Sequence, residues 1–188
     1  MNNDTPKDVF WFRRDLRLAD NHGLFAALSS GRPVVPIFIF DRNILDKLKA
    51  DDQRVPFIHQ ELNRIQKELQ KHKCRLLVFY GYPNEVFSDL FEAMRIHSVH
   101  CNEDYEPYAI DRDDNISDIC RSHGAYFNKY KDHVVFHKKE IVKGDGNPYS
   151  VFTPYSRTWK SLLEKESLAH FNSESKLNAL WKDNGLSK

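Results

Sequence analysis

No glycine-rich phosphate cradle opens this chain. The G-x-G-x-x-G expected after the first strand of a dinucleotide-binding fold is missing, and G-x-x-x-x-G-K-[ST] occurs nowhere in its 188 residues. The usual dinucleotide and triphosphate sites are thereby excluded. There is no G-x-S-x-G nucleophile elbow and no H-E-x-x-H zinc helix. Cysteine is sparse: Cys74, Cys101 and Cys120 are an odd set without C-x-x-C spacing, which argues against a disulfide framework or a zinc knuckle. His97 and His100 with Cys101, and His133 with His137, fall on strand and loop, where their spacing does not converge on a metal. No metal site is expected. No apolar run approaches the length of a membrane span, and the polar start from Met1 to Lys7 lacks a signal-peptide core. The expectation is a soluble, cytoplasmic protein with no membrane contact. Charge of either sign is not in excess: 28 basic against 27 acidic residues leave a net +1, so no global attraction to nucleic acid follows. Repeats and low-complexity tracts are absent too.

What is abundant is aromatic: thirteen Phe, eight Tyr and three Trp. Such rings fill a core or stack on a flat ligand. The densest stretch, Val9-Phe10-Trp11-Phe12, reads as a buried strand and breaks at once into Arg13-Arg14-Asp15-Leu16-Arg17. Asp20 or Asn21 then offers a helix N-cap. Strands are predicted over Asp8 to Phe12, Val34 to Phe40, Arg75 to Tyr80, Ser98 to Asn102 and Ala125 to Tyr130. Pro36 marks a bulge or an early edge in the second of these. Helices are predicted between them, over Asn21 to Ser29, Asp51 to His72, Asn84 to Met94 and Tyr108 to His123. Past Tyr130 the alternation fails. Val134 to Phe136 and Glu140 to Val142 are short extended candidates, Thr153-Pro154 opens a further helix, and Leu177, Leu180 and Trp181 form an apolar cluster in a polar tail. Exposed on its own, that cluster would be a docking surface.

Strands alternating with helices imply βαβ units. The fold class is α/β: a Rossmann-like, doubly wound, five-stranded parallel sheet with helices on both faces and strand order 3-2-1-4-5. Ligands gather at the carboxyl ends of such strands, here Phe12 to Arg14, Phe40 with Asp41, and Asn102 with Asp104. Asp15 and Arg17 read first as internal ion pairs. Arg13, Asp41, Arg54 and Asp104 stand open between scaffold and ligand contact. Phe38, Phe40, Leu45, Leu48 and Phe57 supply apolar walls. Few cations beside many rings suit a flat aromatic ligand better than a triphosphate.

Three stretches in order then carry a family resemblance. The run from Trp11 to Asn21 closely resembles the opening signature of the DNA photolyase and cryptochrome family. Asn102 to Tyr108, followed by Arg112-Asp113, is similar to its fourth-strand motif. Gly146 to Tyr155, with Trp159, is similar to the motif leading out of its N-terminal domain. The resemblance implies an antenna domain over residues 1–135, with 136–188 an extension and the start of an interdomain linker. The all-helical domain holding FAD is absent from this chain, so no catalytic residue is expected here. The parent protein would be a flavoprotein lyase that uses light to repair cyclobutane pyrimidine dimers in DNA, its DNA contact made by the helical domain. Relatives with a deazaflavin or FMN antenna place it in the crevice. On matching positions the cofactor-binding residues are Arg13, Phe38, Phe40, Asp41, Leu48, Arg54, Phe57, Asn102, Asp104 and Glu106. A folate antenna would need an Asn-Glu pair where this chain has Tyr108-Ala109, and Glu106 alone does not restore it. The alternatives are the same domain in a cryptochrome photoreceptor, and a stand-alone nucleotide-binding protein.

Overall fold

The computed structural model describes residues 5–137, 139–166 and 168–183. The polar lead from Met1 to Asp4 and the last residues, Asn184 to Lys188, lie outside them. Five strands alternate with helices: β1 (Lys7–Phe12), α1 (His22–Leu28), β2 (Val34–Asp41), α2 (Arg42–Leu45), α3 (Arg54–Lys71), β3 (Leu77–Gly81), α4 (Pro83–Ala93), β4 (Ile96–Asn102), α5 (Pro107–Ser122) and β5 (Tyr126–Tyr130). Every strand pairing is parallel, and the order is β3-β2-β1-β4-β5, as the sequence predicts.

Period-two alternation splits the aromatic strands between two cores. Phe10 and Phe12 of β1 join Phe38 and Phe40 of β2 on one face, under Leu24 of α1 and Leu62, Ile65 and Leu69 of α3. Val9 and Trp11 join Val35, Ile37 and Ile39 on the other, under Val86, Phe87 and Leu90 of α4 and Ile116 and Cys120 of α5. β1 is buried along its whole length because both faces are covered and both edges are paired. Pro36 is tolerated in β2 because pairing with β3 starts only at Ile37, so at that point β2 has β1 alone beside it.

Helix starts follow local chemistry. The Asn21 side chain caps α1 by accepting from the Leu24 N–H at 3.0 Å, while α4 and α5 open on Pro83 and Pro107. Gly124, at φ +69°, turns the chain out of α5. The structure departs from the sequence reading in four places. A short α2 occupies what reads as loop. No strand forms over Val134 to Phe136 or over Glu140 to Val142. A sixth helix, α6 (Phe152–Leu163), starts ahead of Thr153-Pro154, and Val151 gives it no side-chain cap. The tail is no open docking surface. A 3₁₀ turn over Glu174–Ala179 buries Leu177 and Leu180 in the first core, Leu180 forms a parallel bridge with Val34, and Trp181 packs on the second core.

Candidate functional site: the carboxyl end of the sheet

The ends of β1 and β4 meet α1 in a closed polar knot. Asp15 stands at its centre, buried. One carboxylate oxygen accepts the Arg13 backbone N–H at 2.9 Å, and the other accepts the side-chain amides of Asn102 at 2.5 Å and Asn21 at 3.1 Å. Asn102 gives its second amide proton to Asn21 Oδ1 at 2.9 Å, and its own Oδ1 accepts the Gly23 N–H at 2.8 Å. A helix N-terminus in this place is the natural seat for an anion. Here the side chains of Asn21 and Asn102 occupy it, the physical counterpart of the missing glycine cradle.

Arg13 turns into the same knot. One guanidinium nitrogen lies 2.6 Å from Asp113 Oδ1 and another donates to the Asn102 carbonyl, with side-chain exposures of 6% for Arg13 and 1% for Asp113. Arg112 shares Asp113 at 2.9 Å, and both guanidiniums lie over Trp11, at 5.2 and 4.8 Å from its ring centre. The neighbouring Cys101 thiol is pushed up to about 12 by burial, which leaves it unreactive. Arg17 forms the expected ion pair, 2.7 Å from Asp132, whereas the Asp15 carboxylate is answered by amides and a backbone N–H rather than by a cation.

The remaining candidates fall into three places. Asp41 caps α2 through the Asn43 N–H at 2.9 Å and accepts from the Tyr108 hydroxyl, whose pKa burial and that carboxylate push up to about 12. Phe38 and Phe40 lie in the first core, closed over by Leu45, Ile58 and Leu62, with Phe40 stacked on His59 at 4.7 Å. Asp104 and Glu106 both hold Arg14, at 3.1 and 2.5 Å. Leu48, Arg54 and Phe57 differ from all of these: Leu48 lies in the stretch before α3, and Arg54 and Phe57 in its first turn. Leu48 is half-buried, Phe57 is 60% exposed and the Arg54 side chain 68% exposed, its fork held by Asp52 at 2.7 and 2.9 Å. Sequence reasoning passed over Asp113, Tyr108 and Asn21 as ligands of this network. The Arg112-Asp113 pair was the available signal, since a carboxylate beside an arginine on a buried helix face needs a partner.

The sequence profile described as DNA photolyase matches residues 8–173. The chain belongs to the DNA photolyase family. A deoxyribodipyrimidine photo-lyase from Synechococcus is 33% identical to this family member over 81% of the chain and 32% of its own length. Cryptochrome-1 of Drosophila melanogaster is 33% identical over 74% of the chain and 27% of its own. The archaeal photolyase of Sulfolobus tokodaii, solved with two FAD molecules and described as implying a novel light-harvesting cofactor, superposes with a TM-score of 0.69. It is 27% identical, over 92% of this chain and 41% of that one. The photolyase-family chain thus spans about a third of the length of the Synechococcus relative.

A planar pigment needs apolar faces and unspent polar groups at its edge. The inner candidates do not fit that demand, because Arg13, Asn102 and Asp41 are consumed by one another's neighbourhood and Phe38 and Phe40 by the core. The outer three differ: Phe57 and Leu48 present apolar surface, and Arg54 is exposed although its fork is paired with Asp52. Among the described residues no helix is long and apolar enough to cross a membrane, and no group of His, Cys, Asp and Glu could hold a metal ion.

Proposed function

We propose that this chain is the light-harvesting domain of a deoxyribodipyrimidine photolyase, supporting repair of pyrimidine dimers by FAD in a following helical domain. The observation that carries the reading is the photolyase profile running unbroken from the first strand to the tail at residue 173. Repair is taken as the reading and photoreceptor signalling as its alternative, the Synechococcus photolyase and the Drosophila cryptochrome both being 33% identical. Residues 1–135 would form the antenna domain proper and 136–188 its extension and the start of the linker.

A bound deazaflavin or FMN would absorb light and pass the excitation to FAD. The residues we assign to hold it are Leu48, Arg54 and Phe57. Phe57 would offer a ring face and Leu48 further apolar surface, and Arg54, exchanging Asp52 for the ligand, would attract a phosphate or ring oxygen. The buried knot of Arg13, Asp15, Asn102 and Asp113 acts behind them as scaffold, fixing β1 against β4 and α5. Asp104 and Glu106 hold Arg14 at the rim.

The test is titration of the purified chain with FMN, deazaflavin and folate, followed by absorbance and flavin fluorescence. FMN or deazaflavin should bind, and Arg54→Ala and Phe57→Ala should each weaken binding at least tenfold without moving the thermal midpoint. Binding of folate alone, or unchanged flavin affinity in both variants, would overturn the assignment. The isolated chain should repair no dimers in light.

A further inference from the structure

The opposite end of the sheet holds a second site. A cavity of about 760 Å³ opens at the amino ends of β1, β2 and β3, within the size range of small-molecule sites. One wall is apolar, built from Val35, Leu77, Met94 and Trp181. The returning tail forms that side and is pinned there: the Trp181 N–H donates to the Val34 carbonyl at 2.8 Å, and the Asp183 N–H to the Lys73 carbonyl at 2.9 Å. The charged lining side chains are all basic, namely Lys7, Arg32, Arg75 and Lys182, and among the described residues no carboxylate lines the cavity.

These four cations are not equally satisfied. Arg32 is held by Asp8 at 2.9 Å and Arg75 by Asp183 at 2.7 Å, both carboxylates buried behind the lining. Lys182 is exposed and reaches the His72 carbonyl at 3.0 Å. Lys7 is the exception. As a residue it is only 9% exposed, and among the described residues its ammonium has one long bond, 3.3 Å to the Thr5 carbonyl. An ammonium withdrawn from water is costly unless an anion or several acceptors replace the lost hydration. Here it lines a cavity with an indole on its wall.

We propose that this cavity binds a small amphipathic anion, an aromatic or heteroaromatic ring carrying a phosphate. The ring would lie against Trp181 and Met94 and the anion on Lys7, with Arg32 and Lys182 adding field. A metal is disfavoured because the charged lining groups are all cations. A fully apolar ligand would leave Lys7 as it stands. The site is separate from the pigment site and does not depend on it.

The probe is AMP, with adenosine and inorganic phosphate as its two halves, followed by calorimetry and Trp181 fluorescence. AMP should bind at least tenfold more tightly than either half. Lys7→Met, which keeps the aliphatic stem, should weaken AMP at least tenfold and leave adenosine unchanged, whereas Lys7→Arg should retain AMP binding. Trp181→Phe should remove the fluorescence response, and Arg54→Ala should have no effect. No saturable AMP binding at millimolar concentration, or equal AMP affinity in wild type and Lys7→Met with both folded by circular dichroism, would overturn the proposal.

Discussion

Lys7 and Arg13 bracket one strand, and both are shielded from water, yet the fold treats them in opposite ways. Arg13, just past the end of β1, meets Asp113, the Asn102 carbonyl and the face of Trp11. Lys7, at its start, meets one distant carbonyl among the described residues, and a cavity. A buried charge whose neighbours answer it becomes part of the frame, and one left partly unanswered marks a place for something else. The comparison moves attention from the carboxyl end of the sheet, where this fold class usually binds, towards its amino end.

The hardest test of this contrast is to remove the partner of the satisfied cation. Asp113→Ala leaves two guanidiniums in the interior without their carboxylate and should cost about 3–5 kcal/mol in urea denaturation. Lys7→Met at the other end of the strand should cost nothing or stabilise. Similar losses in both would break the distinction.

Next in size is Asp8, the fully buried carboxylate behind the amino-end cavity. Burial pushes its pKa up, but His100, Arg32 and Ser30 outweigh it and bring the group to about 2. A carboxyl lowered on folding stabilises the protein above its ordinary pKa, and that contribution fades as pH falls towards 2. Asp8→Asn should therefore lose about 2 kcal/mol at neutral pH, with the wild-type and variant curves converging between pH 4 and 2. Thermal unfolding across that range measures it, and a difference that stays constant with pH would deny Asp8 this role.

The smallest expected effect probes the knot's geometry. A Cβ at Gly23 would lie 2.7 Å from Asn102 Oδ1 and 3.1 Å from the Phe10 ring. Overpacking of this kind costs about 1–3 kcal/mol, and alanine's better helix propensity returns about 1 kcal/mol. Gly23→Ala should lose roughly 1 kcal/mol and shift the Asn102 side-chain amide resonances. An unchanged amide spectrum would mean that Asn102 is not locked.

Much of the architecture was legible in the residues. β-branched and aromatic runs separated by helical stripes announce the parallel sheet, and Pro36 signals its edge, because these depend on neighbours in sequence. The crevice was legible only as a location. Its contents rest on pairs such as Arg13 with Asp113, 100 residues apart, and Asn102 with Asp15, 87 apart, which no local pattern reveals. The same limit hid the amino-end cavity. Lys7 reads as the end of the polar start until Leu180 and Trp181 return to form a wall. Leu177 and Leu180 looked exposed in a polar tail because their partners, Val34 and the face of β2, lie far back in the chain.

That return has a consequence for how the protein is made. Ser173 accepts from the Asn21 N–H at 3.2 Å and donates to the Leu18 carbonyl at 2.6 Å, and Trp181 holds Val34, so contacts spanning nearly the whole chain seal the first core. A nascent chain emerges amino end first and must keep the faces of β1 and β2 waiting until residues 173–181 arrive. Closure of that core is thus a late, non-local event, slow relative to the helices around it. Ribosome-stalled chains ending before residue 173 should be far more protease-sensitive than chains that have released Trp181.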